Sequence, residues 1–189
     1  MTDDEVLAEF RAAEALLEGH FILSSGLRSS RYLQCARVLM DPRRASRLAE
    51  ALAAKIDFEI DIVVSPAMGG VLIGHEMGRA LGVEALFLER PEGVFELRRG
   101  FRLKAGQRVL MVEDVVTTGL SSREAIKAIT AAGGIVVAAA ALVDRSDGAA
   151  DLGVPFTPLI RLSVPTYDAD ALPPELTAIA AIKPGSRAS

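Results

Sequence analysis

The stretch Val109-Leu110-Met111-Val112-Glu113-Asp114-Val115-Val116-Thr117-Thr118-Gly119-Leu120-Ser121 decides the fold. Aliphatic and β-branched residues predict a strand over Arg108 to Val112, and a Thr-Thr-Gly turn leads into a helix over Ser122 to Ala132. The strand therefore delivers two adjacent carboxylates, Glu113 and Asp114, to its carboxyl end. Ligands of open parallel sheets bind at that end, so we expect a functional site here.

A second unit of the same kind precedes this stretch. Residues Asp61–Val64 predict a strand, Ser65–Gly70 a glycine turn and Val71–Leu81 a helix. A further buried apolar run follows at Ile135–Val143. Strands that are apolar on both faces and alternate with helices predict a parallel sheet covered on both sides, which is the α/β class.

The flanking segments predict smaller elements. Apolar residues at helical spacing predict an amphipathic helix over Asp3 to Glu18, and Pro42 begins a helix that runs to Lys55. Between them, Phe21 to Leu39 is strand-like around a polar turn at Ser24–Ser30. The segment from Arg90 to Lys104 has no long apolar run, and it predicts a mobile hairpin or loop.

Composition limits the possible functions. A chain of 189 residues that is 50% hydrophobic and has no linker predicts one domain over residues 1–189. The net charge of −4 argues against a nucleic-acid partner. One cysteine, Cys35, and two separated histidines, His20 and His75, form no zinc motif and fit a cytoplasmic protein. Neither a signal peptide nor a membrane span is expected. Arginine outnumbers lysine 17 to 4, and arginine suits the binding of phosphates and carboxylates.

The chemistry of the first stretch points to a ribose phosphate. Backbone N–H groups and hydroxyls of the turn, at the start of a helix, can hold a phosphate. Glu113 and Asp114 can accept hydrogen bonds from a sugar diol beside it. A purely structural interpretation is also open, in which the acids cap the next helix and Ser121 forms a capping box with Glu124.

The thirteen residues from Val109 to Ser121 resemble the phosphoribosyl-pyrophosphate motif of the type I phosphoribosyltransferases. The resemblance implies a type I phosphoribosyltransferase fold, with a central parallel sheet flanked by helices. It also implies a small N-terminal hood of about residues 1–40 plus the C-terminal tail, and a mobile loop of about residues 90–104. In the family, the two acids bind the ribose hydroxyls and the turn binds the 5′-phosphate.

Further segments resemble the orotate branch of that family. They are Gly19–Gly26 with Ser29 and Tyr32–Gln34, the pyrophosphate loop Ser65–Val71, Arg145 after a buried strand, and the tail Ile182–Arg187. The resemblance assigns the binding of orotate to Ser24, Tyr32, Leu33, Thr117 and Arg145. Arg145 would form bidentate hydrogen bonds to the carboxylate of orotate. It assigns phosphoribosyl pyrophosphate to Met68, Gly69, Arg90, Glu113, Asp114, Val115, Val116, Thr117, Thr118, Gly119, Leu120 and Ser121.

The activity that the resemblance implies is transfer of the phosphoribosyl group to orotate N1, giving orotidine 5′-phosphate and pyrophosphate in pyrimidine synthesis. Mg²⁺ is the implied cofactor, carried by the substrate with no protein ligands of its own. Glu113 and Asp114 would stabilise an oxocarbenium-like transition state. Family members also imply a homodimer whose loop reaches the partner's site.

The predicted loop departs from the best-known members of the family. Those carry an Arg-Lys pair, a further Lys and a His-Gly, whereas this chain has Arg90-Pro91 followed by Arg98-Arg99-Gly100. Lysines are also replaced at Ser24 and Gly69. We predict that Arg90 and one of Arg98 or Arg99 bind the diphosphate, the alternative being a solvated charged hairpin.

Three other functions are alternatives to this interpretation. A purine or uracil phosphoribosyltransferase would keep the motif but leave Arg145 without a purpose. A non-catalytic regulator that senses phosphoribosyl pyrophosphate and binds nucleic acid would need a basic surface. A dinucleotide enzyme is disfavoured because Gly69-Gly70 and Gly74 match neither the G-x-G-x-x-G nor the Walker pattern.

Overall fold

The computed structural model describes residues 1–23 and 26–183. The helices are α1 (Asp3–Ala12), α2 (Cys35–Leu39), α3 (Pro42–Ala53), α4 (Gly70–Leu81), α5 (Leu120–Ala131) and α6 (Pro174–Thr177). The strands are β1 (Leu16–Ile22), β2 (Arg28–Leu33), β3 (Ile62–Pro66), β4 (Glu84–Glu89), β5 (Glu96–Leu97), β6 (Arg108–Val116), β7 (Ile135–Asp144), β8 (Phe156–Arg161) and β9 (Thr166–Tyr167). None of the helices in the described ranges has the length and apolar character to cross a bilayer.

The central sheet has six strands in the order β5-β4-β3-β6-β7-β8. All neighbours are parallel except β5, which is antiparallel to β4. From β3 the chain continues to β4 on one side, and from β6 it continues to β7 on the other. The strand order therefore reverses between β3 and β6, and the crevice at their carboxyl ends is where such sheets bind ligands.

Alternation along β6 explains how helices cover both faces of the sheet. Leu110 and Val112 pack into the apolar cluster that includes α3 and α4, whereas Val109 and Met111 pack into the cluster that includes α5. All four side chains are fully buried. The predicted α/β class, with a central parallel sheet flanked by helices, is confirmed.

A second sheet of three antiparallel strands, β1-β2-β9, takes two of its strands from the predicted hood. The tail joins it, because Phe21 and Ile182 form a parallel bridge and Ile182 N donates to His20 O at 2.8 Å. The predicted tail residues Pro184–Arg187 lie outside the described residues.

Two predicted elements near the N-terminus are wrong. The first helix ends at Ala12 and not at Glu18, because Glu14 takes a φ of 50° and the chain then enters β1. The predicted strand as far as Leu39 is also wrong, since Cys35–Leu39 forms the short helix α2. Apolar residues at these positions fit either periodicity, and pairing of β1 with β2 decides between them.

The central motif differs from its prediction in two details. Strand β6 runs to Val116, so both acids lie within the strand and not after it. Helix α5 begins at Leu120, after Gly119 with a φ of 73°, and has no side-chain cap. The predicted capping box of Ser121 with Glu124 is therefore wrong, because Ser121 already lies inside the helix.

Candidate active site

The two acids of β6 point to opposite faces of the sheet, because consecutive strand residues alternate. Glu113 lies on the α5 side, where Ser121 and Arg90 influence its carboxylate. Asp114 lies on the α4 side, against Gly69. The pair therefore brackets the crevice at the end of β6 and does not form a single cluster.

Burial controls the protonation of both acids. The pKa of Glu113 rises from 4.5 to about 8, first because burial penalises the charged form and second because of the charge on Asp114. The Ser121 hydroxyl and the Arg90 guanidinium act in the opposite direction. Burial also raises the pKa of Asp114, while backbone hydrogen bonds to its carboxylate lower it.

Glu113 should make the ligand-free protein less stable as pH rises. A carboxyl whose pKa is raised in the folded state holds its proton there while the unfolded chain loses it, so stability falls between about pH 4.5 and pH 8. We expect Glu113→Gln to lose less stability over this pH range. Near pH 8 its free energy of unfolding should exceed that of the wild type by an amount on the order of a few kcal/mol. Urea unfolding at pH 5, 6.5 and 8 measures it, with Glu96→Gln as the exposed control. Parallel curves for Glu113→Gln and the wild type would contradict the assignment.

Gly69 is the close neighbour of Asp114. A Cβ at position 69 would lie 2.6 Å from Asp114 Oδ1 and 2.8 Å from Oδ2. The backbone of Gly69 is helical, with a φ of −57°, so close approach and not backbone conformation requires glycine. A side chain at this position would therefore have to displace the Asp114 carboxylate.

Gly69→Ala should displace the Asp114 carboxylate without unfolding the protein. Alanine accepts the helical backbone at this position, so the thermal unfolding midpoint should match that of the wild type. Misplacement of a catalytic group by about 1 Å can cost about a hundredfold, and we expect kcat/KM to fall by about ten- to a hundredfold. Steady-state kinetics measure it, with Leu72→Ala, an exposed site on α4, as the control. Wild-type kinetics for Gly69→Ala would contradict this role of the contact.

The turn after β6 lines an open cavity of about 240 Å³. Its lining consists of Arg90, Val115, Val116, Thr117, Thr118, Gly119, Leu120, Ser121, Ser122 and Glu124. The structure thus brings Arg90 together with every predicted residue of the phosphate turn. Gly119 is required twice over, because its φ is 73° and a Cβ would lie 2.6 Å from Leu152 Cδ2. The N-terminus of α5 lies at this cavity, and the free backbone N–H groups of a helix N-terminus can bind a phosphate.

Arg145 follows directly after β7, beside the end of β6. Its backbone N donates to Val116 O at 2.8 Å, which fixes the residue next to the motif. Its Nε is buried and has no hydrogen-bond partner. Burial lowers the pKa of Arg145, while Cys35 and Tyr32 act to raise it, so these two groups lie near the guanidinium. A buried N–H without a partner is costly, and an incoming carboxylate would satisfy it.

Tyr32 and Leu33, which were also predicted to bind orotate, lie in different surroundings. Tyr32 lies near Arg145 and contacts the ring of Phe21, with centroids 5.7 Å apart. Leu33 is partly buried and packs its side chain against the main apolar cluster. Ser24 lies outside the described residues.

Three of the hairpin arginines, Arg90, Arg98 and Arg99, are paired with glutamates. Arg90 Nη2 lies 2.5 Å from Glu124 Oε2, and its guanidinium stands 4.0 Å from the centre of the Phe95 ring. Arg98 and Arg99 both bind Glu89. Neither Arg98 nor Arg99 lines the phosphate cavity, whereas Arg90 does.

Three neighbours of the site were missed from the sequence. Glu89 and Glu124 are ordinary surface residue types, and only the paired arginines could have suggested them. Cys35 lies with Sγ 3.8 Å from Asp114 O, and burial raises the pKa of its thiol. Nothing in the sequence places this residue, which is distant in the chain, beside the acids.

No group of three or more His, Cys, Asp and Glu side chains within residues 1–23 and 26–183 is close enough to hold a metal ion. The crevice offers the oxygens of Glu113 and Asp114, which suit Mg²⁺ by their chemistry. Two divergent carboxylates fit an ion that arrives with most of its ligands from a bound phosphate compound and water.

Comparison with known proteins gives a consistent result. Residues 39–154 match the phosphoribosyl transferase domain family. An orotate phosphoribosyltransferase of Rhizorhabdus wittichii is 77% identical over 193 residues, covering 100% of this chain and 98% of the relative. That of Maricaulis maris is 60% identical, covering 99% and 98%.

Solved structures extend the comparison. The orotate phosphoribosyltransferase of Aeropyrum pernix is 29% identical, with a TM-score of 0.66, covering 83% of this chain and 93% of that one. The Mycobacterium tuberculosis enzyme in complex with 5-phospho-α-D-ribosyl 1-diphosphate is 25% identical, with a TM-score of 0.66, covering 84% and 96%. An adenine phosphoribosyltransferase of Thermoanaerobacter pseudethanolicus, at 24% identity and a TM-score of 0.61 with coverage of 70% and 88%, shares the fold.

Proposed function

This chain belongs to the orotate phosphoribosyltransferases of the type I phosphoribosyltransferase family, and from that membership we infer that it transfers a phosphoribosyl group to orotate. Phosphoribosyl pyrophosphate is the donor, and orotidine 5′-phosphate and pyrophosphate are the products. The family resemblance stated from the sequence is thereby confirmed. The reaction belongs to pyrimidine synthesis.

One observation of the site carries the choice of orotate over other bases. Arg145 holds a buried Nε without a partner, directly beside the motif strand. Adenine, hypoxanthine and uracil carry no carboxylate that could satisfy a guanidinium, whereas orotate does. This supports the orotate enzyme against the purine or uracil alternative.

The remaining residues fit roles in binding and charge stabilisation. The cavity around Thr117, Thr118 and Ser121 would hold the 5′-phosphate, with Arg90 at its rim. Glu113 and Asp114 would accept hydrogen bonds from the ribose hydroxyls and oppose the positive charge that develops on the sugar. Mg²⁺ bound with the diphosphate would neutralise the leaving group.

The proposal also covers assembly and location. A homodimer, in which the hairpin of one subunit reaches its partner's site, stays a prediction from the family resemblance. A cytoplasmic location and the absence of a nucleic-acid partner stay predictions from composition. Sedimentation of the purified protein tests the first of these.

The activity is tested by following orotate loss by absorbance with phosphoribosyl pyrophosphate and Mg²⁺. We expect pyrophosphate release that depends on orotate and is absent with adenine, hypoxanthine and uracil. Release with one of those bases instead would favour another phosphoribosyltransferase. Tight, salt-sensitive binding of RNA or DNA without turnover would favour the regulator.

The proposed diphosphate role of the hairpin is tested by replacing Arg98 and Arg99 together with Ala. The double replacement removes whichever of the two guanidiniums binds the leaving group, and we expect kcat/KM for phosphoribosyl pyrophosphate to fall by about 10²-fold or more. Arg102→Ala, an exposed arginine of the same hairpin, is the control. Near-normal turnover of the double variant would favour a merely solvated hairpin.

A further inference from the structure

The hairpin after β4 holds an arrangement that neither the motif nor the family resemblance assigned. We propose that Glu89 is a positioning residue, which holds Arg98 and Arg99 side by side as a preformed clamp for the diphosphate. The inference rests on the proposed function, because it takes these arginines to bind the leaving group. Glu89 itself would not touch the substrate.

Two ion pairs of Glu89 are the first observation that supports this positioning role. Glu89 Oε2 lies 3.3 Å from Arg98 Nη1, and Glu89 Oε1 lies 2.5 Å from Arg99 Nε. One carboxylate thus uses both of its oxygens on two adjacent guanidiniums. Without it, two like charges on neighbouring residues would repel each other and separate.

The turn that carries the arginines is also fixed. Phe101 N donates to Arg98 O at 2.9 Å, and the two central residues, Arg99 and Gly100, have φ values of 57° and 77°. Arginine in a left-handed conformation is uncommon and costs free energy, so other contacts must hold it. The contact of Arg99 with Glu89 is one, and the Arg99 guanidinium also stands 5.7 Å from the centre of the Phe87 ring.

Charge and exposure leave the arginines available to an anion. The trio carries a formal charge of +1. The Arg98 and Arg99 side chains are 53% and 64% exposed, whereas that of Glu89 is only 19% exposed. Each guanidinium gives one nitrogen to Glu89 and keeps its other N–H groups for a ligand. An arginine pair that is already ordered loses less entropy when it binds a diphosphate.

The position of Glu89 fits this role. It ends β4, whose neighbour β3 leads into the predicted pyrophosphate loop. Leu88 O accepts from Ala67 N of that loop at 2.8 Å. Arg90, the next residue, lines the phosphate cavity. Glu89 therefore lies between the pyrophosphate loop, which would hold the diphosphate, and the cavity that would hold the 5′-phosphate.

Glu89→Gln tests the proposal, with Glu96→Gln as its matched control. Glu96 pairs with Glu89 across β4 and β5, and it makes none of the ion pairs found within residues 1–23 and 26–183. We expect Glu89→Gln to raise the KM for phosphoribosyl pyrophosphate and the Kd for pyrophosphate about tenfold. The KM for orotate and the thermal unfolding midpoint should match those of Glu96→Gln, which a merely structural role would not predict.

A second comparison separates the inference from the proposed function. In the Arg98→Ala, Arg99→Ala background, Glu89→Gln should cause no further loss of pyrophosphate affinity, measured by calorimetry. The positioning role would be overturned if Glu89→Gln caused an equal further loss of pyrophosphate affinity in this background. It would also be overturned if Glu89→Gln alone had no larger effect than Glu96→Gln, or if it bound pyrophosphate more tightly than the wild type. Absence of orotate turnover in the wild type would overturn the proposed function instead, and the calorimetric comparison would still decide on Glu89.

Discussion

Replacement of Asp114 with Asn is expected to lower kcat by about 10²- to 10³-fold, the range found when one preorganised electrostatic group is removed from a transition state. The carboxylate lies at the strand-order reversal, in a half-buried position where its charge is weakly screened. An oxocarbenium-like sugar carries more positive charge than the bound substrate. Loss of the negative charge should therefore affect kcat more than the KM for phosphoribosyl pyrophosphate.

Asparagine has nearly the same shape as aspartate, so the contact with Gly69 is retained. The fold should survive, and thermal unfolding checks that it does. Glu113→Gln gives the comparison within the pair, because that carboxyl has a pKa of about 8 and holds a proton at neutral pH before substrate binds. We expect a smaller loss of kcat for Glu113→Gln. Turnover of Asp114→Asn within about threefold of the wild type would remove this residue from the catalytic machinery.

Much of the fold was predictable because its central units have strong local patterns. Arg108 to Val112 is apolar on both faces, and such a run followed by a glycine turn has few alternatives. The strand predicted from the sequence ends too early, at Val112, because the two acidic residues interrupt the hydrophobic pattern. In the structure, pairing of β6 with β7 continues to Val116. Periodicity cannot show where a ladder of hydrogen bonds ends.

The N-terminal region was less predictable for the opposite reason. Leu16 and Leu17 suit a helix or a strand equally well, and only pairing with β2, itself distant from the core motif, decides. Long-range contacts also account for what was missed in the site. The pairing of Glu89 with two arginines, and of Glu124 with Arg90, joins residues nine to 34 positions apart in the chain.

Arg145→Ala is expected to raise the KM for orotate by about 10²- to 10³-fold, which corresponds to loss of one partner from a buried charge pair. The guanidinium is half-buried, and its Nε has no partner in the protein, so its hydrogen-bonding capacity is reserved for a ligand. Arg145→Lys should recover only part of the affinity, because an ammonium keeps the charge but cannot form the bidentate bond to a carboxylate.

A neighbouring arginine provides the control for this prediction. Arg161 ends β8 at the same edge of the sheet, is paired with Asp144 and is largely exposed, so Arg161→Ala should leave the KM for orotate unchanged. The KM for phosphoribosyl pyrophosphate should stay near the wild-type value in both variants, since neither side chain lines the phosphate cavity. If Arg145→Ala instead raised only that KM, the guanidinium would serve the diphosphate, and the choice of orotate over an uncharged base would need another residue.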